Sequence, residues 1–136
     1  MIKARLWFAR GVMAYALLIF GFLGQLFFFN PLDGIQSFGV TLADPHSITF
    51  IRTSLGAMFV GFAITAAYGL IRPTRFLACL WFLVVMNGCI VAARLYGFAA
   101  DGVTPKNISE LTNEGLSWLL FVVALVAVPR APATQA

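Results

Sequence analysis

Apolar residues run along this chain in four long blocks, and most polar residues fall in the gaps between them. The blocks cover residues 6–29, 50–71, 76–96 and 116–128. A bilayer's hydrocarbon core is about 30 Å thick, so a helix needs about 20 mainly apolar residues to cross it. The first three blocks have that length. The fourth reaches it only by starting near Asn107 and taking Glu110 and Glu114 into the membrane, which gives a span over about 108–129. Every backbone polar group inside lipid must be satisfied within its own segment, so the spans are helices. The pattern predicts an all-α, polytopic membrane protein. It would be an antiparallel bundle of four transmembrane helices forming a single domain over residues 1–136.

The joints between blocks add detail. Helix one stops at Asn30-Pro31, where proline blocks continuation. Asn30 as a cap, Pro31 at the first helical position, Asp33 at the third and Gly39 closing the turn predict a short interfacial helix in the first outer loop. Leu32, Ile35 and Phe38 would share one side of it. Arg72-Pro73-Thr74-Arg75 is a tight turn, which makes helices two and three an antiparallel hairpin. Asp101-Gly102 is a turn signal. Asn107 followed by Glu110 reads as a capping pair that opens helix four. Asp44-Pro45-His46-Ser47 would open helix two, with Ser47 as its cap. Gly21, Gly24, Gly56, Ala57 and Gly61 are small enough for close helix packing within the bundle, or for a dimer face.

Composition agrees with membrane residence. The hydrophobic fraction is 61%, the charged fraction 10% and the mean hydropathy +0.93. A soluble domain carries about 25% charged residues. The net charge of +4 is no nucleic-acid footprint, because the basic residues sit singly at segment ends. Lys3, Arg5, Arg10, Arg72, Arg75 and Arg130 fall on one face of the predicted topology. The other face carries Lys106, with Arg52 and Arg94 at helix margins, and all five acids: Asp33, Asp44, Asp101, Glu110 and Glu114. Basic residues gather in cytoplasmic loops. Both termini are therefore expected in the cytoplasm. The N-terminal run is too long for a signal h-region and is followed by no small-residue cleavage site, so it reads as a retained helix.

Polar residues within the spans are the candidates for function. At about 1.5 Å per residue from the inner boundary, Gln25 lies roughly 22 Å up helix one and Arg52 roughly 30 Å up helix two. Asn87 lies about 18 Å and Arg94 about 28 Å up helix three, and Glu114 about 24 Å up helix four counted from Arg130. Each helix thus brings a polar residue to the outer part of the bilayer. Intramembrane charges usually face the bundle interior and pair with one another. Glu114 is expected to pair with Arg94, Arg52 or both, since an arginine fork grips a carboxylate with two bonds. The competing placement has both arginines snorkelling to headgroups, with Glu114 near water. Gln25, Arg52, Asn87, Arg94 and Glu114 form the expected ligand-binding or structural polar cluster.

His46 and Asp101 are further candidates in the outer loops, although a lone histidine makes a weak metal site. Cys79 and Cys89 are ten residues apart on helix three, about 80° from a common direction. They suit packing better than a disulfide or a metal. No phosphate loop, no Ser-His-Asp set and no Cys-x-x-Cys occurs, so neither catalytic residues nor a cofactor or metal site is expected. Helix one lacks an acid, which argues against a small proton-coupled exporter.

The chain resembles an uncharacterised bacterial family of four-helix integral membrane proteins, domain of unknown function 4345, distantly DoxX-like. The likeness rests on Asn30-Pro31, Phe38-Gly39-Val40, Ile51-Arg52 with Gly56, Ala93-Arg94-Leu95, Asp101-Gly102 and Glu114. It implies the four-helix fold and a membrane location. DoxX-like proteins add a faint association with quinone or thiol redox chemistry, and the poorly matched intramembrane cysteines depart from the thiol version.

Three functions are carried forward. The first is a non-catalytic accessory protein or a binder of a lipid or quinone, with its polar cluster near the periplasmic face. The second is a DoxX-like membrane subunit of a quinone-linked oxidoreductase, which would need a cofactor-bearing partner. The third is a small transporter or channel, which would need a homo-oligomer and a polar path. Below Asn87 the spans offer only scattered Thr, Ser and Tyr for such a path. Besides the bilayer, the expected partners are a lipid or quinone and a membrane protein or second copy, with no nucleic acid.

Overall fold

A computed structural model describes residues 2–36, 38–42 and 44–128, which are helical with no strand among them. Arg130 and the tail to Ala136, counted above as a topology signal and as a depth marker, lie outside the described residues. The helices are α1 (Ile2–Phe29), α2 (Pro31–Gln36), α3 (Pro45–Ile71), α4 (Pro73–Ala100) and α5 (Pro105–Ala127). All but α2 are long and apolar enough to cross a membrane.

Local chemistry sets the boundaries. Pro31 opens α2 directly after α1, and the chain leaves α2 through Gly39 at φ +71°, which a side chain would strain. Asp44, not Ser47, caps α3. Its carboxylate accepts the Ser47 N–H at 2.7 Å, while the Asp44 N–H donates to Ser47 Oγ at 3.2 Å. Pro45 takes the first helical position, where its missing donor does no harm. The same logic moves the start of α5. Thr104 Oγ1 accepts the Asn107 N–H at 3.1 Å and Pro105 begins the helix. The Asn107–Glu110 capping pair expected from the sequence therefore does not form, and Glu110 lies one turn inside α5. The inner turn is a single 3-10 turn over Pro73–Arg75. Gly102, at φ +94°, closes the link between α4 and α5.

Each long helix packs on two others. α1 touches α3 and α5, and α4 touches the same two, so α1 faces α4 and α3 faces α5 only across the diagonal. The end holding Ile2, Val128 and the inner turn is proximal, and the other end distal. The main core is proximal and central, with Met13, Leu80, Leu83 and Phe121 wholly enclosed. Phe20 sits at its centre. Its ring centroid lies 5.1 Å from that of Phe62 in an edge contact and 6.1 Å from that of Phe121. Arg5 ties α1 to α5 at the proximal end through the Val126 carbonyl, 3.2 Å away.

Distally the bundle changes character. α1 remains buried at Gly24 and Phe27, and α3 at Gly56. On α4 no residue after Asn87 is buried, and on α5 none before Phe121. The α1–α3 seam is closed by two glycines. A Cβ on Gly24 would lie 2.9 Å from Val60 Cγ2 and 3.0 Å from its backbone N. One on Gly56 would lie 2.9 Å from Phe28 Cα. Gly21 and Gly61 meet nothing, and Ala57 is exposed, so only two of the five small residues form this close approach.

This contrast yields a test. Gly56→Ala should destabilise the protein by about 1–3 kcal/mol, because rigid backbone rather than a movable side chain must give way. Gly61→Ala should leave stability unchanged. Unfolding of both variants in detergent micelles checks the difference.

Candidate functional site

Helices α4 and α5 meet distally through charge. Arg94 donates from Nε to Glu114 Oε2 at 2.5 Å and from Nη2 to Glu114 Oε1 at 2.6 Å. Its Nη1 donates to Glu110 Oε2 at 2.6 Å. One fork thus grips one carboxylate with two bonds and reaches a second with the third nitrogen, the strongest mode available to guanidinium. Glu110 and Glu114 share a face because they are four apart on a helix. The three side chains are only 19–28% exposed, so solvent screens the pair weakly. Further toward the proximal end, Trp118 Nε1 donates to the Val84 carbonyl at 3.1 Å. The indole nitrogen would lie 3.0 Å from a Cβ on Gly88, so glycine makes room for it.

Arg52 does not take the Glu114 pairing expected from the sequence. It sits on α3, diagonal to α5, and so does not pair with Glu114. Instead its Nε donates to the Phe28 carbonyl at 2.8 Å. Phe28 lies in the last turn of α1, whose carbonyls lack helical partners and carry the negative end of the dipole. A guanidinium is the natural partner there. The backbone of α3 is adjusted at the same point, since Arg52–Gly56 forms a π-helical turn with the Ala57 N–H donating to the Arg52 carbonyl. Such insertions recur at functional sites. This one coincides with the pressing of Gly56 onto Phe28. The Nη groups of Arg52 make no hydrogen bond or ion pair among the described residues. A cavity of about 300 Å³ lies beside Arg52, which lines it together with Phe29, Asn30, Pro31, Leu32, Asp33 and Ile48.

The remaining candidates stand apart from the ion cluster. Asn87 is buried, but its Nδ2 donates to the Leu83 carbonyl of its own helix at 2.8 Å. Gln25 is exposed on α1, and its side chain makes no hydrogen bond among the described residues. His46 is exposed in the first turn of α3, and Asp101 is exposed as the residue closing α4. Cys79 and Cys89 are free thiols, the first buried and the second exposed. Among the described residues no three His, Cys, Asp or Glu gather in a metal-holding group. Arg94 and Glu114 are therefore brought together, while Gln25, Arg52 and Asn87 do not join them.

Sequence reasoning missed two participants. Glu110 was assigned to capping, although its four-residue spacing from Glu114 already placed both on the Arg94 face. Asp33 was read only as a first-turn helix residue. That it shares a cavity with Arg52 depends on the fold of the loop. On α2 and the turn after it, Ile35 is buried, whereas Leu32 and Phe38 are exposed.

A family model described as Domain of unknown function (DUF4345) matches residues 8–112. No curated protein and no solved structure matches the chain.

The cap that starts the cavity's α3 wall, which carries Ile48, gives a pH prediction. The Ser47 backbone N–H, and then its hydroxyl, hold the Asp44 carboxyl below its ordinary value of 3.8. A depressed native pKa contributes stability that is complete above 3.8 and disappears as pH falls through the lower native value. The protection of the Ser47 amide relative to its intrinsic exchange should therefore fall only below about pH 4, and Asp44→Ala should abolish that change in protection. Hydrogen exchange of this amide across the acid range checks it.

Proposed function

The chain belongs to the DUF4345 family, and from that premise we propose that it is a non-catalytic membrane protein that holds a lipophilic molecule at its distal end. The observation that supports this reading is the contrast between its two distal arginines. Arg94 spends all three of its nitrogens on two carboxylates, which makes it a helix clasp. Among the described residues Arg52 is anchored through Nε alone, and it borders a cavity with apolar walls from Phe29, Leu32 and Ile48. The lining is mixed, with Asn30, Asp33 and Arg52 as polar groups beside the apolar ones, which suits a molecule with a polar head and an apolar chain. A lipid or quinone would place an oxygen on the Arg52 Nη groups and its chain along the apolar wall.

In this reading the termini and the inner turn are cytoplasmic and the cavity faces the periplasm across a bacterial inner membrane. The gathering of Lys3, Arg5, Arg10, Arg72 and Arg75 at the proximal end supports that orientation. All four spans belong to a single domain. A second reading, an accessory subunit, is favoured by Asn113. It is exposed on α5 about 21 Å from the proximal end of that helix, a depth at which polar side chains in lipid seek protein partners.

Extraction of the purified protein decides between them. Solvent extraction and mass spectrometry of the wild type should recover a bound lipid or quinone, and Arg52→Ala should recover several-fold less. Equal recovery from both contradicts the ligand reading. A stoichiometric co-purifying subunit with no small molecule favours the accessory reading.

A further inference from the structure

We propose that the cavity beside Arg52 selects a glycerophospholipid with a zwitterionic, primary-ammonium headgroup, its phosphate on Arg52 and its ammonium on Asp33. The proposal rests on the ligand reading above and narrows it to one chemical class. Arg52 and Asp33 line the same cavity, yet they form no ion pair with each other. A charge left unpaired as a ligand covers it is costly. A quinone carbonyl or a purely anionic headgroup would satisfy Arg52 and strand the Asp33 carboxylate, or be repelled by it. A zwitterion answers both charges and adds none.

The details of the cavity agree. The Phe28 carbonyl fixes the Arg52 guanidinium through Nε, which leaves the Nη edge for phosphate oxygens, the geometry in which Arg exceeds Lys. Asp33 needs a donor, and a primary ammonium has three N–H bonds where a quaternary one has none. Asn30 adds an amide to the polar wall. Phe29 and Leu32 are 68% and 52% exposed, an apolar flank for the glycerol and acyl chains. The cavity lies where α1 ends and α2 begins, the level at which a spanning helix meets headgroups.

The test titrates phosphatidylethanolamine and phosphatidylglycerol of identical acyl chains into delipidated full-length protein, with bound lipid read by native mass spectrometry. Wild type should bind the ethanolamine lipid about tenfold more tightly. Asp33→Asn should still bind lipid but lose the preference, bringing the two within about twofold. Arg52→Gln should weaken both. A preference retained by Asp33→Asn, or a wild type favouring phosphatidylglycerol, overturns the headgroup assignment. A wild type that retains a quinone and ignores the ethanolamine lipid also overturns it, while leaving the ligand reading intact. Failure to retain or bind any lipophilic molecule removes both.

Discussion

The Arg94 fork between Glu110 and Glu114 holds the distal half of α4 and α5 where apolar packing does not. In water two such helices would be driven together by hydrophobic burial. Lipid tails supply no such drive, and association then relies on dispersion contacts, small residues and polar bonds. On these two helices the fully buried positions stop at Asn87 and Phe121, apolar packing beyond them is only partial, as at Ile90, and the ion triad supplies the polar bonds there. A charge in lipid costs free energy that reaches about 2.5–3.5 kcal/mol at mid-bilayer and is smaller at the distal level of this cluster. Pairing with three short bonds offsets part of that, and removing one partner would expose the rest.

The clasp also gives the two distal arginines different tasks. Because each Arg94 nitrogen already bonds a carboxylate, its positive charge is largely answered within the protein. Arg52 lies across the bundle diagonal, out of reach of the carboxylates, and is recruited instead to the carbonyl end of α1. Gly24, Gly56 and the π-helical turn together bring α3 close enough for that contact. At that end α2 runs beside Arg52, and both line the cavity that carries the proposed function. One polar group at this end of the bundle therefore fixes structure, and another is left available for recognition.

Much of this architecture was legible in the chain. Span lengths follow from bilayer thickness, the α3–α4 turn from Arg72-Pro73-Thr74-Arg75, and the Arg94–Glu114 pair from the high cost of lone charges in lipid. Cap positions were less legible because two polar residues competed for each, and the proline beside Asp44 and beside Thr104 decided the outcome. The placement of Arg52 was not legible. Depth counted along a helix says how far up a residue lies, not which neighbour it faces, and the diagonal order of α3 and α5 emerges only from packing. The π-helical turn likewise has no signature in Arg52 to Gly56. The distal loss of burial escaped notice because hydropathy does not distinguish a lipid-facing leucine from an enclosed one.

A double-mutant cycle on Arg94 and Glu114 tests the clasp most directly, with unfolding free energies measured in one detergent and Arg52 with Glu114 as the control cycle. Arg94→Gln and Glu114→Gln should each destabilise, and the double variant should lose much less than their sum, a coupling of about 1.5 kcal/mol or more. The control pair should add within about 0.5 kcal/mol. Additive losses for Arg94 and Glu114 would contradict the account, because the distal hairpin would then be held by something other than this ion pair.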